Sequence, residues 1–264
     1  MCRLLHDQWN HWHERPCFLF SPFKDCNCCF CCFRWHKLLR SGDMSQITRY
    51  GESQLRRYGL KYDIDLRSPL EQDYAPDKIP AKTIFRSYPV YPVSEAESEG
   101  DLPQSELAKR GAVEFDCQEP YLMMVLNAHS QLAFRCLFED MLANDQPGDS
   151  LLFHCAAGKD RTGIAGFLIL SALSVDYQSI RQDYLLTNVV YSAGDEQKLR
   201  KKLQDDQAAE FIKKMNASFN VFAEELDSAH QAVLDHYGSV TNYLREIFDL
   251  TPAKISQLQR IYLE

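Results

Sequence analysis

The sequence predicts an α/β fold in which a central, mostly parallel sheet is flanked by helices and carries a helical insertion. Three observations lead there. The apolar runs "KYDIDL", "KTIFRSYPV" and "SLLF" are short enough for strands and are separated by longer stretches of helical period. Strands that alternate with helices favour a parallel sheet covered on its faces. The length of 264 residues, 45% of them hydrophobic and 25% charged, suits one large domain or one domain with an elaboration.

Each element has a local cause. "TRYGESQLRRYGL" reads as a short helix closed by Gly59 at its C-terminal side. "KYDIDL" follows as a strand with Tyr62, Ile64 and Leu66 on one face. Ser68 then stands as an N-cap, Pro69 at the first helical position and Glu71 three residues after the cap, so a helix begins directly behind the strand. "KTIFRSYPV" is a second strand, ended by Pro89 and Pro92, and "SEAESEGDLPQSE" is an acidic loop. One long helix is expected from about Glu119 to Leu142, where Leu122, Val125, Leu126, Leu132, Ala133, Leu137 and Met141 recur near helical spacing. "NDQPGD" breaks it, "SLLF" is a buried strand, and "RTGIAGFLILSAL" is a helix apolar nearly all round and hence central. Beyond Asp176 strand signals vanish. Leu199, Leu203, Phe211, Met215, Phe219, Phe222, Leu226, Ala229 and Val233 mark a long amphipathic helix or helix pair, read either as packed core or as a mobile lid. Two last helices start at Ser239 and at Thr251-Pro252.

Composition narrows the function. A formal charge of −8 argues against a general nucleic-acid binder, while leaving room for a local basic pocket. No apolar run approaches the roughly 18 residues of a spanning helix. The start "MCRLLHDQWNHWHERP" lacks the apolar core of a secretory signal, so cytoplasmic residence is the expectation, with export as an effector left open. Seven of the ten cysteines fall in the first 32 residues, five of them in "CNCCFCC", which is not a disulfide framework spread over a fold. Residues 1–34 therefore read as a cysteine-rich segment, poorly structured or not genuine, ahead of a domain at 35–264. Metal binding by its C-x2-C spacing with His6, His11 and His13, or reversible acylation, are the alternatives.

The chemistry concentrates in "HCAAGKDRTG", residues 154–163, between a strand and a helix. Free N–H groups and the positive end of the helix dipole attract an anion there. Ala156, Ala157 and Gly158 keep the loop small enough for successive N–H groups to curl around a tetrahedral oxyanion. Such a field favours a thiolate at Cys155, the form that attacks phosphorus. Arg161, six residues later, can clasp two phosphate oxygens through its planar fork, and Thr162 can give a hydroxyl to the departing sulfur. A nucleotide P-loop is excluded, because G-x4-G-K-[ST] is absent.

This loop resembles the signature of the cysteine-dependent phosphatases, and the full string resembles one branch: the bacterial and fungal tyrosine-phosphatase family with secreted mycobacterial and listerial members. "WHKLLRSGDMSQIT", "GLKYDIDLRSPLE", "DYLLTN" and "HYGSVTNYLRE" are similar to further blocks of that family, so the likeness runs from Trp35 to Glu264. It implies hydrolysis of phosphotyrosine, often with phosphoserine or phosphoinositides, through a phosphocysteine and without a metal or other cofactor. It also implies a helical lid at about 187–236. Two departures stand out: the Asn-Arg-Asp-x-Gly-Gly-like element ahead of the first block is replaced by the cysteine-rich stretch, and Ser94 stands where some relatives carry an aspartate.

Expelling the leaving group needs a proton donor, and no Trp-Pro-Asp segment supplies one. Asp65, at the carboxyl end of its strand, and Asp160, inside the loop, compete; Asp160 is slightly preferred. Asp65 could instead be a structural carboxylate bonded to Arg67, and Asp160 one that orients Arg161. His154 reads as a hydrogen-bonding support for the loop. Lys159 suits a substrate with extra phosphates, as in the related lipid-and-protein phosphatase of inositol 3-phosphates, or is a solvated lysine at the loop crest. The substrate partner is then a phosphoprotein or a phosphoinositide. A loop that binds phosphate without turnover is the alternative reading of the same residues.

Overall fold

The computed structural model describes residues 18–19, 33–91, 119–200 and 220–264. The cysteine cluster, the acidic stretch with Ser94 and the stripe from Leu203 to Phe219 lie outside the described residues. Strands β1 (Phe18–Leu19), β2 (Leu38–Ser41), β3 (Leu60–Asp65), β4 (Ile84–Ser87) and β5 (Ser150–His154) form one sheet in the order β1-β2-β5-β3-β4. Among the described strands of this sheet the β1–β2 pair alone is antiparallel; β2, β5, β3 and β4 run parallel. The register sets Ser41 and Asp65 opposite His154, and Ser87 opposite Asp65, so four strands end together at one edge. In an open parallel sheet that edge is where ligands bind.

The helices follow their local signals. Helix α1 (Arg49–Arg57) starts at Thr48, whose side chain accepts from the Gly51 N–H, and is followed by Gly59 at φ +74°. Helix α2 (Pro69–Tyr74) carries the expected capping box: Ser68 accepts from the Glu71 N–H, while the Glu71 carboxylate accepts from the Ser68 N–H. The single helix expected over 119–142 is two, α3 (Glu119–Leu126) and α4 (Ala128–Ala143). Asn127 separates them, because its backbone is extended and its side chain accepts the His129 N–H as an N-cap. Leu132, seven residues beyond buried Val125 and so on its face in a continuous helix, is 58% exposed after that break.

Helix α5 (Asp160–Ala172) is buried along almost its whole length, as its all-round apolarity requires. Helices α6 (Tyr177–Arg200), α7 (Ala223–Tyr237), α8 (Val240–Phe248) and α9 (Pro252–Tyr262) complete the domain. Ser239 and Thr251 cap the last two with their side chains. Within the expected lid span, Leu226, Ala229 and Val233 of α7 are core residues. Asn188 of α6 is bonded to both the N–H and the C=O of Val221.

The sheet separates two apolar layers. Tyr62, Ile64 and Leu66 face the larger one with Leu151, Phe153 and the α3–α9 side chains. Leu39, Leu55 and Leu152 form the smaller one. A register shift between Leu60 and Tyr62 lets Leu60 join the smaller layer although it shares Tyr62's parity. Asp63 and Asp65, alternating with Tyr62 and Ile64, turn to that smaller side and are fully buried.

Candidate active site

Residues 155–159 form the turn between β5 and α5 at the sheet's carboxyl edge. Gly158 makes the turn at φ +69°, and a Cβ there would stand 2.5 Å from the Ser41 carbonyl oxygen. The end of β2 supports the loop from behind. The Asp43 N–H donates to the Ala156 carbonyl at 2.9 Å. Buried Arg40 donates to the Gly158 carbonyl at 3.3 and 3.4 Å, and also to Asp183 and Thr187 of α6. Lys159 makes no side-chain cap at the start of α5, so the first-turn N–H groups are not taken by a capping oxygen.

Cys155 is buried, and its Sγ accepts the Gly158 N–H at 3.3 Å. Thr162, seven residues on, has a buried hydroxyl without a protein partner. Arg161 presents its fork to Glu71, Nη1 to Oε2 at 2.7 Å and Nη2 to Oε1 at 2.8 Å. Its guanidinium lies 5.5 Å from the centre of the Tyr91 ring. Burial raises the Tyr91 hydroxyl pKa, and the charges that act on it include Arg161, Asp160, Cys155 and Glu71, which places all four around one ring. Burial would also raise Glu71, but the hydrogen bonds and charge of Arg161 and the Ser68 donors outweigh it and hold the carboxyl at about 2.

Asp160, the first residue of α5, accepts from the Tyr121 hydroxyl and, at 3.0 Å, from Lys159 Nζ. Lys159 is therefore engaged within the loop rather than solvated at its crest. Asp65 differs. Its carboxylate is fully buried and takes Arg67 Nε at 3.0 Å, Arg67 Nη2 at 2.7 Å and the Arg67 N–H at 2.9 Å.

His154 is buried beneath the loop, with Nε2 3.1 Å from Asp77 and 3.5 Å from Asp63. Burial alone would lower its pKa; the Asp77, Asp63 and Asp65 carboxylates overcome that and raise it to about 9. The ring is then protonated at neutral pH, and Nδ1–H donates to the Cys155 carbonyl at 3.2 Å. Asp63 itself is pushed up to about 7, chiefly by burial. Asp63, Asp77 and His154 also bring three ligand-type atoms within 4.8 Å of one another. They lie below the loop, where both Asp63 oxygens, Asp77 Oδ2 and His154 Nε2 are buried without a hydrogen-bond partner among the described residues.

Four contributors escaped sequence reasoning: Arg40, Glu71 as the partner of Arg161, Tyr91 and Tyr121. For Arg40 a signal existed, since "KLLRSGD" puts an arginine at the end of a buried strand. Among the described residues no helix is long and apolar enough to cross a membrane.

Comparison with known proteins gives the family. A tyrosine-protein phosphatase from Cupriavidus necator is 30% identical over 230 residues, 87% of this chain and 80% of that protein. The triple specificity protein phosphatase PtpB of Mycobacterium tuberculosis is 27% identical over 259 residues, 86% of this chain and 91% of that protein. A tyrosine-protein phosphatase of Nostoc commune is 30% identical over 160 residues, 56% of this chain and 47% of that protein. The profile of the tyrosine phosphatase family matches residues 32–264, including the whole loop and every strand from β2 on, and so this chain is a phosphatase that belongs to the tyrosine phosphatase family.

Proposed function

We propose that the chain hydrolyses phosphotyrosine through a phosphocysteine formed on Cys155. One observation carries this: a buried sulfur receives a loop N–H at the foot of α5, with Arg161 beside it. The Cys155 thiolate attacks phosphorus, the S–P bond forms and the P–O bond breaks. The electron pair stays on the leaving oxygen, which takes a proton from Asp160. Water then attacks the phosphocysteine and gives a proton back to Asp160, while the S–P bond breaks, sulfur leaves as thiolate and phosphate departs. The loop N–H groups of Ala156 and Ala157 and the open donors of Arg161 hold the phosphoryl oxygens, while the Gly158 N–H meets Cys155 Sγ. Asp160 is the acid rather than Asp65, because Asp65 is consumed by Arg67 and fully buried. Together Asp65 and His154 hold the loop's base.

Cys155→Ser should reduce hydrolysis of a small aryl phosphate to background while its melting curve keeps the wild-type cooperativity. Unchanged turnover would exclude the mechanism, and phosphopeptide binding by a wild type that never turns over would select a binding module instead.

The substrate class can be drawn wider. The mycobacterial relative is named for triple specificity, and Lys159 and Arg161 set two cations in one loop, as a phosphoinositide headgroup would require. Lys159→Ala should then depress phosphoinositide hydrolysis more than phosphotyrosine hydrolysis. The substrate partner is a phosphoprotein first and a phosphoinositide second.

A further inference from the structure

Four side-chain oxygens lie in a row behind the start of α5. The Tyr121 hydroxyl donates to Asp160 Oδ1. The Tyr121 and Tyr184 hydroxyls are 2.7 Å apart, and either can be the donor. The Tyr184 hydroxyl is 3.1 Å from Glu225 Oε2. Tyr121, Tyr184 and Glu225 come from α3, α6 and α7, and all three are buried. A Cβ on Gly163 would stand 2.7 Å from Tyr184 Cε2, so the bare glycine lets the Tyr184 ring press against α5 and fixes its hydroxyl. Burial first, then the neighbouring acidic charges, raises both phenol pKa values, and both phenols keep their protons.

Counting protons is decisive. Three O···O links need three protons, and two phenols supply two. With both carboxylates ionised, one link would set lone pairs face to face in a buried, low-dielectric site. One further proton fills every link. It can rest on Asp160, with each hydroxyl donating towards Glu225, or on Glu225, with each hydroxyl donating towards Asp160. The ends compete for it: the Phe222 N–H donates to Glu225 Oε2 at 3.0 Å, and Lys159 donates to Asp160 Oδ1 at 3.0 Å.

We propose that Glu225 is a positioning residue for the acid, sharing one proton with Asp160 through Tyr121 and Tyr184. This rests on the assignment of Asp160 as the proton donor. Before cleavage the Glu225 proton passes to Tyr184, the Tyr184 proton to Tyr121 and the Tyr121 proton to Asp160, each O–H breaking as the next forms. Asp160 then protonates the leaving oxygen as the P–O bond breaks. The water that cleaves the phosphocysteine returns one proton to Asp160, and the chain is restored.

The test is a series of aryl phosphates of graded leaving-group basicity, comparing kcat/KM for wild type, Asp160→Asn, Glu225→Gln and Tyr184→Phe. Glutamine can keep its amide oxygen on both the Phe222 N–H and the Tyr184 hydroxyl, as Glu225 Oε2 does, but has no proton to pass; phenylalanine keeps the packing on Gly163. General acid catalysis is worth ~10²–10⁴, so Asp160→Asn should fall steeply towards the poorest leaving group, and Glu225→Gln and Tyr184→Phe should lose at least about tenfold more on the poorest than on the best. Equal losses along the series for both, beside a steep Asp160→Asn, overturn the proton chain alone. A flat series for Asp160→Asn removes the acid and the chain with it.

Discussion

Glu71 does two things with one carboxylate, and the second depends on the first. As the third residue of α2 it accepts the Ser68 N–H at 2.9 Å and the Ser68 hydroxyl at 3.0 Å, which fixes its rotamer. The fixed carboxylate then takes one N–H from each terminal nitrogen of Arg161. Guanidinium has five N–H donors, so the side fork of Nε–H and one terminal N–H is still open to a phosphoryl group in the same plane, with the last N–H on the opposite edge. Because Arg161 and Ser68 hold Glu71 at about 2, it is ionised throughout the working range and Arg161 is never released by pH. Glu71→Gln removes the charge and one of the two acceptors. A hydrogen bond to a charged group is worth ~1.5–3 kcal/mol, so kcat/KM for an aryl phosphate should fall about 10–100-fold. Wild-type kinetics in that variant would mean that the loop orients Arg161 unaided.

The loop is an element whose shape is set by strand β2. Gly158 sits at φ +69° with its α-carbon hydrogens against the Ser41 carbonyl, and Arg40 grips its own carbonyl from the other side. Gly158→Ala must bear the left-handed backbone, ~1–2 kcal/mol, and a clash with rigid backbone as well. At about 2–4 °C of Tm per kcal/mol for a domain of this size, thermal melting should show a clear fall, together with loss of turnover. A wild-type Tm would show that β2 yields easily. Much of this level was legible in the sequence. "SPLE" announced a helix behind β3 through a local capping pattern, and "HCAAGKDRTG" placed a thiol at a helix start, because both depend on residues within a few positions of each other. Asn127 was legible in principle and was overruled by apolar spacing on both sides. Arg40 with Gly158, Tyr121 with Asp160 and Glu71 with Arg161 lie 118, 39 and 90 residues apart. No periodicity reports such pairs; the parallel order of β2, β5 and β3 brings the first and third together, and the packing of α3 on α5 the second.

At the scale of the whole molecule, the buried acidic cluster below the loop ties stability to pH. Asp63 keeps its proton to about 7 in the folded chain against an ordinary 3.8, so the unfolded chain binds fewer protons and stability falls as pH rises between about 4 and 7. His154 titrates at about 9 folded against 6.5 unfolded, so its contribution is complete below 6.5 and lost as pH climbs through 9. Glu71 acts oppositely, its contribution present above 4.5 and lost as pH drops through about 2. Lys37, lowered by burial to about 8, adds a rise only above that pH. For these groups the signs combine to a contribution to Tm that peaks in mild acid, near the ordinary carboxylate range, and declines through neutrality; His36 and His230, both lowered by burial, oppose it only below 6.5. Asp63→Asn deletes the first descending segment. It also takes from His154 one of the carboxylates that raise it, so the second descent should begin at lower pH. The loop feels the same event, because deprotonated His154 need no longer give its Nδ1 proton to the Cys155 carbonyl. Tm recorded from pH 4 to 9 for both proteins checks this. Parallel curves would mean that Asp63 is ionised in the fold and that another proton fills the cluster.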